Sequence, residues 1–277
     1  MATILDGKAV SAKIRVKLKR QVSTASVRPG LAAILVGDNP SSRMYVDLKE
    51  KACDEVGIYS EKHALPSDVS EDELIGVIER LNDDQRIHGM LIQMPLPKSI
   101  STKDVVSAIA PRKDVDGFHP CNNGAVMDGE ERLVSATPKG IIMLLEEYGI
   151  GFEGKNVVIV NHTIVLGRPL AMLAMNRNAT VTVCNHKTGD LRKHTLGADI
   201  LVSGAGVPKL IKADMIQEGC VVVDAGISLV DGKTVGDVDF EGVAKKASHI
   251  TPVPGGVGPM TIAALLENTV LAAKNSR

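Results

Sequence analysis

Four short apolar runs, residues 157–160, 180–183, 200–202 and 221–223, constrain this chain more than any other feature. Each is short and β-branched-rich, too short for a helix; three are apolar on successive residues, and Thr180-Val181-Thr182-Val183 keeps β-branched residues throughout, so all four read as buried strand candidates. Helical segments such as residues 168–175 separate them, and strands that alternate with helices make a parallel sheet, because parallel neighbours need a long crossover. The second half therefore reads as a Rossmann-type nucleotide-binding sheet. The loop after the first run, Asn161-His162-Thr163-Ile164-Val165-Leu166-Gly167-Arg168-Pro169, holds only Gly167 and lacks the strict G-x-G-x-x-G spacing. After the second run stands Cys184-Asn185-His186-Lys187-Thr188, with no carboxylate to hold ribose hydroxyls, while His162 and Arg168 add basic groups to the first loop. That balance favours a nucleotide with an added phosphate, NADP over NAD; the alternative is that His186 and Lys187 are solvated loop side chains. Ser203-Gly204-Ala205-Gly206 and Asp224-Ala225-Gly226-Ile227 end the other two runs in small residues, as a cofactor lying across strand ends requires.

The first half repeats the alternation. Val10, Ile14 and Leu18 recur at helical spacing and predict a helix over residues 8–24. A strand over 31–36 follows, then Gly37-Asp38-Asn39-Pro40 and a second helix, capped by Ser41 or Ser42 and ending near Gly57. On that helix Ser42, Tyr45, Lys49, Ala52, Cys53 and Val56 share one face, which sets a lysine in a weakly polar stripe. A half-buried lysine is costly unless it is used or paired, the alternative being that its stem carries the charge out to water. Strand 61–65, helix 71–81 and strand 90–92 come next. Gln93 then stands at a carboxyl strand end, where open parallel sheets bind ligands and where a capping amide also fits. After a helix over 102–109 comes Lys113-Asp114-Val115-Asp116-Gly117-Phe118-His119-Pro120, a turn-rich loop in which one or two carboxylates face a ligand and the remaining charges face water. A further helix spans 138–148. Thr251-Pro252-Val253-Pro254-Gly255-Gly256-Val257-Gly258-Pro259-Met260-Thr261 carries three prolines and three glycines and is neither helix nor central strand. It reads as a shaped loop for close backbone approach to a ligand, or as a rigid connector, ahead of a buried helix over 260–271.

With 277 residues, two cores are expected. The 32 basic and 33 acidic residues give no field to draw nucleic acid or an anionic membrane, and three Phe, three Tyr and no Trp leave no base-stacking platform. Cys53, Cys121, Cys184 and Cys220 form no C-x-x-C pair, and the seven histidines show no metal-ligand spacing, so neither disulfides nor a metal site is expected. No signal peptide and no apolar run of about 20 residues is present, which predicts a soluble cytoplasmic protein.

Four separated motifs together resemble one family, the bifunctional methylenetetrahydrofolate dehydrogenase/cyclohydrolases: Tyr45-x-x-x-Lys49, Gln93-Met94-Pro95-Leu96-Pro97, Asp114-Val115-Asp116-Gly117-Phe118-His119-Pro120, and the run from Thr251 to Thr261. They stand in the family's order across nearly the whole chain. The resemblance implies oxidation of methylenetetrahydrofolate by hydride transfer to NADP and hydrolysis of the methenyl product to formyltetrahydrofolate, in one-carbon metabolism and purine biosynthesis. It implies a catalytic group of Lys49, the catalytic lysine, Gln93, which orients it, and Tyr45, with Tyr45 and Ser42 also lining the folate pocket. It also implies Asp116 on the pterin ring, Pro254, Gly255 and Gly256 around the folate, and Asn161, His162, Thr163, Arg168, His186 and Ile227 at the cofactor. The implied fold is two α/β domains around a cleft: residues 1–137 with 262–277 for folate, and 138–261, a Rossmann-type parallel sheet, for NADP. A homodimer is implied as well.

The chain also departs from the family pattern. Asn161-His162-Thr163 stands where a Gly-Arg-Ser run is common, and Ser135-Ala136-Thr137-Pro138 where a Pro-Cys-Thr-Pro run is common, so no cysteine at position 136 is required. The competing readings are a dehydrogenase-only member, another two-domain NADP dehydrogenase of the shikimate or amino-acid type with Lys49 as acid/base, and a nucleotide-sensing protein without turnover.

Overall fold

The computed structural model describes residues 1–276. The chain starts with a two-residue strand, β1 (Thr3–Ile4), and helix α1 (Gly7–Ser23). It forms two compact units: residues 13–136 with 262–277, and residues 1–12 with 137–261. The sequence reading assigned residues 1–12 to the first of these. Pairing of β1 along a strand of the other sheet puts them in the second, and two residues are too short to announce a strand by periodicity.

In the unit of 13–136 and 262–277, β2 (Gly30–Val36) lies between β3 (Tyr59–Leu65) and β4 (Gly89–Ile92) in a parallel sheet ordered β3-β2-β4. Every residue of β2 is buried because the strand has a neighbour on each edge and cover on each face. Helix α2 (Pro40–Val56) packs on β2 and β3. On the other face α3 (Glu71–Asp83) and α4 (Thr102–Ala108) bring Leu74, Ile78, Leu81 and Val105 against Ala32, Ile34, Met90 and Ile92. Helix α2 is capped by the Asn39 side chain, which accepts from the Ser41 and Ser42 amides, rather than by either serine, and it ends at Gly57 with φ 86°. Ser70 and Glu73 close a reciprocal capping box at the start of α3. The charged loop after α4 is more ordered than its turn residues suggest: it holds a 3₁₀ turn (Pro111–Lys113), a single bridge from Asp114 to Met90, and α5 (Pro120–Met127).

Helix α6 (Ala136–Glu147) leads into the second sheet, formed by β5 (Asn156–Val160), β6 (Thr180–Cys184), β7 (Ile200–Ser203) and β8 (Val221–Asp224), with α7 (Gly167–Met175) and α8 (Leu191–Thr195) between strands. A hairpin of β9 (Ser228–Val230) and β10 (Lys233–Val235) follows, then α9 (Phe240–Val243), β11 (His249–Ile250) and α10 (Val257–Lys274). The sheet is parallel and six-stranded, in the order β1-β11-β8-β7-β5-β6, so the four strands read from the sequence gain two short partners. Of those four, β6 is not covered on both faces. It is the edge strand, with Val183 exposed. The hairpin turns through Asp231 and Gly232, both at positive φ, an Asp-Gly signal that the sequence reading passed over. Helix α10 starts at Val257, three residues earlier than predicted, with Pro259 in its first turn where no amide hydrogen is needed. Among the described residues no helix is long and apolar enough to cross a membrane.

Candidate functional site

In the unit of 13–136 and 262–277 the predicted stripe on α2 faces inward: Ser42, Ala52, Cys53 and Val56 are buried, with Val46 added, and Tyr45 and Lys49 are half-buried. The Lys49 ammonium does not run out to water. Its Nζ donates to Gln93 Oε1 at 3.1 Å. Gln93 is rigidly placed for this: its backbone amide extends the ladder past β4 by donating to Ile34 O, and its Nε2 donates to Met94 O at 2.9 Å. The side-chain oxygen is thereby the end presented to the lysine, ahead of the cis peptide Met94–Pro95.

The charged loop separates into structural and available groups. Lys113, read as solvated, is buried and donates to Leu81 O and Asp84 O, closing the carboxyl end of α3. Asp114 is buried too, accepting from the His119 amide and Asn122 Nδ2. Asp116 is left without a side-chain hydrogen bond among the described residues. Burial pushes its carboxyl up to about 6; the Lys49 charge pulls it down and Asp114 pushes it further up. Lys49, Gln93 and Asp116 thus form one constellation.

The unit of 1–12 and 137–261 gathers the second group at the carboxyl ends of β5 and β6. Asn161 organises the first loop: its Oδ1 accepts from Thr163 N, Thr163 Oγ1 and Gly167 N at 2.8, 2.8 and 3.0 Å, and its Nδ2 donates to Gly204 O at 2.6 Å. Arg168 Nε donates to His162 O, and the rings of His162 and His186 lie 5.8 Å apart. The first amides of α7 are consumed inside the protein, Gly167 N by Asn161 and Arg168 N by Thr163 O, and Pro169 has none. Those amides are therefore not free for an anion, whereas Thr163, Arg168, His186 and Ile227 are exposed. Pro254, Gly255 and Gly256 lie beside the start of α1, where Lys8 N donates to Gly255 O and a side chain at Gly7 would collide with the Gly256 carbonyl. The Val253–Pro254 peptide is cis.

Sequence comparison now becomes decisive. Residues 5–116 match the model of the tetrahydrofolate dehydrogenase/cyclohydrolase catalytic domain, and residues 135–277 that of its NAD(P)-binding domain. The Bifunctional protein FolD of Methanosarcina barkeri is 53% identical over 277 residues, covering 99% of this chain and 96% of the relative. The chain belongs to the tetrahydrofolate dehydrogenase/cyclohydrolase family. It is thus an oxidoreductase and a hydrolase of one-carbon metabolism. Among solved structures of the family, the bifunctional enzyme from Campylobacter jejuni superposes with a TM-score of 0.98 at 48% identity, covering 100% of both chains. The Trypanosoma brucei dehydrogenase-cyclohydrolase, solved with NADP cofactor and inhibitor, gives 0.95 at 36% identity over 99% of this chain and 98% of that one.

One part of this dehydrogenase/cyclohydrolase escaped sequence reasoning. Asp224 and Asp237 are buried at the ends of β7 and β8: Asp224 accepts from the amides of Gly226, Asp237 and Val238, and Asp237 from Ser203 Oγ, Ala205 N and Val207 N. Gly226 is small because Asp237 occupies the space of its side chain, and Gly204 because Leu166 does, so internal packing and not cofactor approach fixes these two glycines. Nothing marks an Asp as a buried acceptor in sequence; only the glycine beside each carboxylate hinted at crowding.

Proposed function

We propose that this chain oxidises methylenetetrahydrofolate with NADP and hydrolyses the methenyl product to formyltetrahydrofolate, with Lys49, Gln93 and Asp116 acting on the folate. The observation that carries this is the Lys49–Gln93 hydrogen bond of 3.1 Å beside the half-buried Asp116 carboxyl group. NADP supplies the hydride acceptor when bound. Residues 161–168 and His186 fit its phosphates because the loop is preformed by Asn161 and offers Thr163, Arg168 and imidazoles, with no carboxylate in residues 184–188 to repel a 2′-phosphate. Ile227, half exposed at 54%, gives that region an apolar contact.

Hydride transfer asks only that the reactants be held in contact, whereas hydration of the methenyl carbon needs a proton taken from the adding water. Gln93 Oε1 occupies one Nζ–H of Lys49 and so fixes the amine on the substrate side of α2, where it handles that proton. The Asp116 carboxylate matches the paired N–H donors of a pterin ring. Tyr45, one turn before Lys49, and Ser42 complete the folate wall. We read the chain further as a cytoplasmic homodimer serving purine biosynthesis. Four cysteines without disulfides suit a reducing compartment, and Leu229, 75% exposed on the hairpin, suits burial against a second copy.

The test is a time course with methylenetetrahydrofolate and either NADP or NAD. Reduced NADP with formyl product, little methenyl intermediate and a slower reaction with NAD are expected. Lys49→Met should retain a folded protein and lose methenyl hydrolysis by at least about a hundredfold, the usual scale of a general acid–base group. Wild-type hydrolysis in that variant rejects the assignment.

A further inference from the structure

We propose that Asn268, on the carboxyl-terminal helix α10, is the positioning residue that sets Asp116 for folate recognition. The proposal rests on the reading of Asp116 given above. Asn268 has no solvent exposure, and its Nδ2 donates to two backbone carbonyls, Val115 O at 2.9 Å and Val134 O at 2.8 Å. These two acceptors flank Asp116 from both sides. Val115 is the residue before it. Val134 and Ser135 form the floor under the residue after it, Gly117, whose φ is 70° and whose missing side chain makes room for the backbone of that floor. Val115 is itself locked, with no exposure and its methyl groups filling the space left free at Gly89.

One amide therefore joins the segment that carries Asp116 to the segment it rests on. The charged groups of that loop are spent elsewhere, Asp114 on α5 and Lys113 on α3. A buried carbonyl that loses a side-chain donor relaxes toward another partner. Here relaxation moves the peptide that aims the Asp116 carboxylate. A displacement of a fraction of an ångström suffices to weaken a paired hydrogen bond to a planar ring.

The experiment compares Asn268→Leu, which fills the same space without donors, and Asn268→Ser, whose single O–H meets at most one carbonyl, with Asp116→Asn and the two double variants. KM values for methylenetetrahydrofolate and for NADP are measured on the full chain. For Asn268→Leu the folate KM should rise about tenfold and the NADP KM stay within about twofold, with a smaller folate effect for Asn268→Ser. In the Asp116→Asn background neither substitution should raise the folate KM further, because the group being aimed is already gone.

A wild-type folate KM in Asp116→Asn rejects the role of Asp116 itself. A raised KM there, combined with additive effects of Asn268 or equal losses toward both substrates, rejects the positioning role alone. Failure of both Asn268 variants to fold would likewise make Asn268 a residue of the fold at large and overturn the proposal.

Discussion

Asp116 is the residue whose chemistry depends most on its surroundings. Its side chain is ordinary in sequence, yet burial lifts its pKa to about 6 from an unfolded value of ~4. Between those values the folded chain holds the proton more tightly than the unfolded chain. Its contribution to stability is thus fully present below pH ~4 and is lost as pH rises through about 6. Substrate recognition has the opposite sign, since the carboxylate is the form that accepts from the pterin. The folate KM should fall as pH rises to about 6 and level off above it, while Asp116→Asn should give a high KM with no inflection there. The same inflection in the variant would assign it to another group. Lys113 teaches the converse: a lysine in a charged loop reads as solvated, but two carbonyls at the end of α3 receive it, and burial lowers its pKa. Residue type alone separates neither case.

At the scale of elements, helices were legible because their caps and periods are local. Glycine at the end of α2 and the Ser70–Glu73 box before α3 act within a few residues of themselves. The cap lies at Asn39 and not at Ser41 or Ser42, because Asn39 precedes Pro40 at the first helical position and its side chain takes the Ser41 and Ser42 amides themselves. The β5–α7 loop is legible in the sequence as a candidate site, but its internal wiring is not. Its amides are turned inward by Asn161, which leaves side chains to meet phosphate. Asn161→Ala should therefore release Thr163 and Gly167 together and raise the NADP KM by about tenfold or more, with the folate KM little changed; unchanged kinetics with NADP would show that the loop holds its shape without that side chain.

For the whole molecule, the proposed second copy has a direct readout. Native mass in solution should be twice the chain mass, and Leu229→Asp, which puts a charge on the exposed hairpin, should shift the protein toward the monomer if the hairpin is covered in the dimer. A monomeric wild type would remove the homodimer from the reading. The fold class, the alternation of strands and helices and the family motifs that single out Tyr45, Lys49, Gln93 and Asp116 as candidates are set by the sequence itself. Hydrophobic period and motif order are written along the chain and need no distant partner. Tertiary structure alone decided the strands β1 and β11, the burial of Lys113, Asp114, Asp224 and Asp237, and the grip of Asn268 on residues more than a hundred positions away. Most of the partners are backbone groups, with the Asn122 amide at Asp114 and the Ser203 hydroxyl at Asp237 as side-chain exceptions. Every residue carries the same amide and carbonyl, so sequence holds no record of which one will be met.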